Sequence, residues 1–254
     1  MSRFIVLKMI FILLVSLSDL FAQQSRFDEA NSLLEESRYQ DAIQVYKSIA
    51  NEGYDSGALW LNMGIAYSQL DSLGVSKFYL LKASQYRETE SRAEQALIYI
   101  NERFTRQSAV LPPLPWDRFF QALSDRFGVS GLVYIALFFL YCGVALLIWS
   151  WFRFDLKKVF RYIAYSSLGI SLLFFLFSLI VNYQNNRYGT GVMVERQGTV
   201  YEQPREESAA VSTAYEGYKM RVDFRESENE SGWKYIRLEN GMYGWVKENN
   251  LMVF

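Results

Sequence analysis

Two long stretches without a charged residue dominate the pattern of polar and apolar positions. The first runs from Val129 to Phe152, between Arg126 and Arg153; the second runs from Tyr162 to Asn186, with Ile163 to Val181 as its apolar centre. Each reaches the roughly 20 residues that a helix needs to cross about 30 Å of hydrocarbon. Backbone polar groups in lipid must be satisfied within the segment, so both are expected as transmembrane helices, over 129–152 and 162–183. The connection 153–161 carries Arg153, Lys157, Lys158 and Arg161. That basic excess predicts a cytoplasmic loop, with both flanking regions on the opposite side. Residues 1–22 read as a secretory signal: Arg3 and Lys8 are positive, Met9 to Leu17 is apolar, and Leu20-Phe21-Ala22 precedes Gln23-Gln24. An uncleaved anchor is the alternative, and either one sends the next segment across the membrane.

Outside the spans the pattern changes twice. Residues 107–128 combine Leu111-Pro112-Pro113-Leu114-Pro115, an extended semi-rigid linker, with Trp116, Phe119, Phe120, Leu123 and Phe127. Those five share one helical face opposite Asp117, Arg118 and Asp125, which predicts an interfacial helix or a plain extension of the span. From residue 187 onwards the pattern alternates. Short runs at Gly191–Val194, Val200–Tyr201, Lys219–Phe224, Trp233–Leu238 and Gly244–Lys247 predict five or six strands closing a small all-β barrel. Asn240-Gly241 predicts a two-residue hairpin, because both central residues of that turn need positive φ.

Residues 23–106 carry an internal repeat. An offset of 34 aligns Ala30 with Gly64, Leu33 with Tyr67, Tyr39 with Leu73, Ala42 with Ser76, Tyr46 with Leu80 and Ile49 with Ala83. Small positions meet small ones and large positions meet large ones. The clearer copy is Trp60-Leu61-Asn62-Met63-Gly64-Ile65-Ala66-Tyr67 followed by Ser76 to Ala83, and Arg92 to Phe104 reads as a capping helix. This helix-turn-helix repeat resembles the tetratricopeptide (TPR) family. The resemblance implies a concave face that binds peptides or partner helices, lined by Phe27, Asn31 and Leu34 in the first repeat and Leu61, Asn62 and Ile65 in the second. Phe27 and Leu61 stand where some family members carry the basic residues of a carboxylate clamp, so that clamp is not carried over.

The run Gly232-Trp233-Lys234-Tyr235-Ile236-Arg237-Leu238 returning through Gly241-Met242-Tyr243-Gly244-Trp245-Val246 resembles the bacterial SH3-like domain. That resemblance implies binding of peptides or cell-wall peptide stems, with Trp233, Tyr235 and Tyr243 as surface aromatics and Ile236 and Trp245 as core. The whole order is a signal, a TPR pair, a proline linker, two spans with a basic loop, and an SH3-like barrel. It resembles the TPR membrane proteins of the Bacteroides aerotolerance operon, the BatE type. What this implies is a multidomain inner-membrane protein with both soluble regions in the periplasm. Its implied partners are von Willebrand A-type membrane proteins and a MoxR-class ATPase, in a complex serving aerotolerance or envelope stress.

Composition narrows the chemistry. Twenty-six Lys and Arg against 27 Asp and Glu leave no basic field for nucleic acid. With no histidine, His-dependent nucleophile pairs, HExxH zinc sites and His phosphorelays are absent. The single cysteine, Cys142, lies in an apolar run and has no internal partner. Acidic pairs such as Glu35-Glu36 and Glu206-Glu207 read as solvated, and there is no phosphate loop or metal-ligand pattern. No catalytic residue, metal or cofactor is therefore expected. Neither span carries an ionisable side chain from the charged set, which argues against a transporter, although an oligomeric pore lined by Ser166, Ser167 and Ser171 remains an alternative. The expectation is a non-catalytic scaffold in contact with membrane lipid; the alternative is a peptidoglycan-binding sensor.

Overall fold

The computed structural model describes residues 23–106, 108–112, 115–152 and 157–254. The expected signal at 1–22, Pro113-Leu114 of the proline run and residues 153–156 of the basic loop lie outside them. The chain is mostly helical with a C-terminal antiparallel sheet, and it divides into two compact units. One joins residues up to 109 with 190–222 and 226–254; the other holds 110–189 with 223–225.

The first unit begins with five helices: α1 (23–35), α2 (Tyr39–Asn51), α3 (Gly57–Gln69), α4 (Leu73–Ala83) and α5 (Glu90–Arg103). The 34-residue phase is present in the backbone. Helices α2 and α4 start at Tyr39 and Leu73, and the turns before them place Ser37 and Asp71 at φ 62° and 59°. The small positions sit where helices come closest. Ser76 Oγ donates to the Gly64 carbonyl at 2.6 Å, and a Cβ on Gly64 would come within 2.7 Å of the Leu80 side chain. Ala30, Ala42, Tyr46, Ile49, Leu59, Leu80 and Ala83 fill the core behind them. Helix α5 starts two residues earlier than Arg92, at Glu90.

Seven strands follow: β1 (Tyr188–Met193), β2 (Gln197–Tyr201), β3 (Ala210–Tyr215), β4 (Lys219–Asp223), β5 (Trp233–Leu238), β6 (Tyr243–Lys247) and β7 (Leu251–Val253). They lie in the order β3-β2-β6-β5-β4-β1-β7. Both β3 and β7 exceed the expected set. Strand β3 reads Ala-Val-Ser-Thr-Ala-Tyr, with little apolar alternation, because it lies at the sheet edge beside β2 alone. Strand β7 is only three residues long. Asn240-Gly241 does form the β5–β6 connection, but not as a two-residue turn. Arg237 faces Tyr243, Gly241 N–H donates to the Leu238 carbonyl at 2.9 Å, and Leu238 N–H donates to the Met242 carbonyl at 2.9 Å. Gly241 alone has positive φ (86°), so the connection is a three-residue loop ending in a left-handed glycine. The inner face of the sheet packs Met193, Val200, Met220, Val222, Ile236, Leu238 and Val246.

Helices and sheet share this unit. Val192 belongs to the helical core, and Met252 and Phe254 pack against it. The Phe78 and Phe254 rings meet edge-on at 5.2 Å. Gly74 N–H, in the first turn of α4, donates to Glu216 Oε1 at 2.8 Å. The Phe104 ring lies over Gly217, leaving no room there for a Cβ.

The second unit consists largely of α6 (Pro115–Phe152) and α7 (Lys157–Arg187), both long and apolar enough to cross a membrane. Helix α6 breaks at Gly128 (φ 62°, ψ 175°), which separates residues 115–127 from the apolar 129–152. The first segment has Trp116, Phe119 and Phe127 exposed, while Phe119 and Phe120 meet Phe177 of α7 at 5.7 and 5.8 Å. Helix α7 already begins at Lys157, so Lys157, Lys158 and Arg161 belong to its first turns and not to a nine-residue loop. Nothing in Lys-Lys-Val-Phe-Arg breaks a helix. Small side chains line the α6–α7 contact. Ser167 Oγ donates to the Phe139 carbonyl and Ser171 Oγ to the Ala136 carbonyl, each at 2.7 Å, and Gly143 lies against Leu168 and Ala164. Ser167 and Ser171 are thus buried between the two helices, while Ser166 is exposed.

Candidate functional site

Three places in the first unit concentrate the chemistry. On α1 and α3, the two asparagines converge although 31 positions separate them. Asn31 Oδ1 accepts from Tyr46 Oη at 2.7 Å and from Asn62 Nδ2 at 2.8 Å. Phe27 closes on the Tyr46 ring at 5.8 Å. Burial pushes the Tyr46 phenol up to about 12, which keeps it a donor at neutral pH. Phe27, Asn31, Leu34, Asn62 and Ile65 are half-buried and available at this face. Leu61 is not: it is 1% exposed, inside the helical core. Its neighbour Trp60 is buried on the same turn, because α3 is apolar over most of its circumference and is enclosed by other helices.

The second place is the outer face of β2, β6 and β5. Strand alternation puts Ile236, Leu238, Gly244 and Val246 inward, so Trp233, Tyr235, Tyr243 and Trp245 share the opposite face. Tyr235 lies directly across from Trp245, with rings 5.2 Å apart, and stacks on Tyr243 at 6.4 Å. Tyr201, across from Trp245 on β2, meets Trp233 edge-on at 5.5 Å. Arg237 lies 5.2 Å over the Tyr243 ring. Ile236 is core, as expected. Trp245 is not; it is half-buried among the outer aromatics, because its register position has the same parity as Tyr243. That parity was readable from the hairpin. Tyr201 carried no such signal, since its pairing with β6 is non-local.

The third is an Asp55–Trp60–Lys82 group where α3 begins. Trp60 Nε1 donates to Asp55 Oδ1 at 2.5 Å, and Lys82 Nζ sits 3.7 Å over the indole. The Tyr86 hydroxyl, then Trp60 and Lys82, hold the Asp55 carboxyl below the usual carboxylate range. This arrangement ties the loop before α3 to α4 and the turn beyond it. It offers no nucleophile, and its carboxylate is satisfied. Among the described residues, no group of three or more Cys, Asp or Glu side chains is placed to hold a metal ion.

Comparison with known proteins adds no relative: no protein family matches this chain, and none of the curated proteins matches it.

Proposed function

We propose that this chain is a non-catalytic, membrane-anchored scaffold for protein–protein interaction in a bacterial envelope complex. On this reading α1 to α5 are two tetratricopeptide repeats with a capping helix, and the sheet is an SH3-like module. The helix pair α6–α7 is a hairpin anchor in the inner membrane, and the protein takes part in the aerotolerance or envelope-stress assembly that the BatE-type resemblance implies. The observation that carries the reading is the shared core of the first unit, built from segments on either side of the helix pair. Two segments joined by a membrane hairpin can share a core only on the same side. The basic residues at the start of α7 favour the periplasm for that side. The Asn31–Asn62 face and the aromatic face of the sheet are then two recognition surfaces on one compact unit.

Photo-crosslinking in native membranes tests this. A crosslinking amino acid at Asn62 should trap von Willebrand A-type membrane proteins or the MoxR-class ATPase. The same amino acid at Lys47 should not. Correctly inserted, folded protein that traps no membrane protein from position 62 would overturn the reading. The aromatic face of β2, β6 and β5 favours one alternative, a sensor that binds cell-wall peptide stems through stacked rings. Purified full-length protein in detergent should then co-sediment with sacculi, and Tyr235→Ala should remove it from the pellet.

A further inference from the structure

A cavity of about 580 Å³ opens within the first unit, where the α3–α4 turn, the end of α5, the β1–β2 turn and the end of β3 meet. Its wall carries three guanidinium groups, Arg103, Arg106 and Arg196, and two carboxylates, Asp71 and Glu216. Both carboxylates are engaged. Asp71 Oδ1 pairs with Arg103 Nη2 at 2.8 Å, and Glu216 caps the first turn of α4 through Gly74 N–H. The Arg106 guanidinium lies over the Tyr215 ring at 4.1 Å, a contact that helps hold its planar group in place. Among the described residues, no carboxylate pairs with Arg106 or Arg196. The wall therefore holds two arginines that no carboxylate pairs with, and one positive charge more than its acids carry. The start of α4 adds the positive end of a helix that already attracts one carboxylate.

We propose that this cavity is a binding site for an acidic peptide segment, which seats a side-chain carboxylate between Arg106 and Arg196. Guanidinium pairs bind carboxylates by paired, charge-assisted hydrogen bonds. One further carboxylate matches the formal excess of three arginines over two acids. The site is separate from the Asn31–Asn62 face, and its walls come from sequence on both sides of the helix pair, so it exists only in the assembled unit. The proposal deepens the scaffold reading by naming the chemistry of a partner. It fails independently, because crosslinking from position 62 does not depend on it.

The test uses the full chain in detergent and fluorescein-labelled hexaglutamate, read by anisotropy at fixed ionic strength. Arg106→Gln and Arg196→Gln should each weaken binding about tenfold, the loss expected for one charge-assisted contact. Arg205→Gln, at an exposed position outside the cavity, should leave it unchanged. Arg196 sits on an exposed turn, so its variant should melt like the parent even where the Arg106 variant does not fold. Arg196→Glu should lose hexaglutamate and bind hexalysine instead, an exchange that a purely structural arginine does not produce. Absence of binding to the parent chain, or equal weakening by Arg205→Gln, would falsify the proposal. Preference for inorganic phosphate over the peptide would overturn it in favour of a phosphate site.

Discussion

Aromatic residues have opposite fates in the helical core of the first unit and on the helix pair of the second. In the first, Tyr46, Trp60, Phe78 and Tyr79 are buried, with Trp60, Tyr79 and Tyr67 stacked in a row. In the second, Tyr134, Phe138, Tyr141, Trp151 and Phe152 are each more than 60% exposed, while Ala136, Gly143, Ala164, Ser167 and Ser171 occupy the inside. The same amino acids are sorted by different rules. Where water surrounds the chain, large apolar side chains gain most by burial. Where lipid surrounds it, they gain nothing by hiding, and small residues that let backbones approach take the interior. On the membrane reading, both units are therefore well packed, each against its own solvent.

Four substitutions or titrations break or sharpen that contrast. The largest effect is expected from Leu80→Ala, which empties a fully buried site beneath Gly64 in the first unit. It should cost about 2–5 kcal/mol, read from thermal unfolding by circular dichroism. Unchanged melting would mean that the helical core is looser than described. Next is Phe138→Asp on the exposed face of α6. In a bilayer it should cost roughly 2.5–3.5 kcal/mol of insertion free energy, measured with a glycosylation-reporter assay. A variant that inserts normally, or becomes more soluble, would break the lipid side of the comparison.

A graded effect follows from the buried phenols. Burial raises both Tyr46 and Tyr79 to about 12, above their ordinary value near 10. The folded state thus holds these protons more tightly than the unfolded chain. Their contribution is complete below about pH 10 and is lost as pH rises through about 12. Urea unfolding from pH 9 to 12 should show this decline, and Tyr46→Phe with Tyr79→Phe should flatten it. The smallest effect is expected from Ser171→Ala in α7, which removes one bond to the Ala136 carbonyl. Interhelical bonds of this kind are worth on the order of 0.6 kcal/mol in membranes, so a steric-trapping measurement is needed to see it. A loss several times larger would assign the serine a task beyond packing.

Several elements are legible in the sequence. The apolar runs of α6 and α7, the 34-residue phase and the β5–β6 hairpin all express short-range periodicity. The break at Gly128 settles what periodicity leaves open between a separate helix and an extension of the span. Leu61 and Trp245 lie on other faces than the sequence predicts, for different reasons. Leu61 lies on a helix enclosed around most of its circumference, where helical position no longer separates inside from outside. The core position of Trp245 comes with the SH3-like resemblance, whereas its alternation with Val246 puts it on the outer face. Strands β3 and β7 lacked the alternation that identifies a half-buried strand.

By itself, the sequence determined the kinds of element and where they change, because hydrophobic periodicity and the lack of charge act over a few turns or strand pairs. Only the tertiary structure decided that residues before and after the helix pair form one core. It also decided that Tyr201 completes the aromatic face, and that Arg103, Arg106 and Arg196 share a cavity. The contact from Gly74 to Glu216 spans 142 positions. No local pattern encodes such a pairing, since it depends on how finished helices and strands fit together once solvent has sorted their faces.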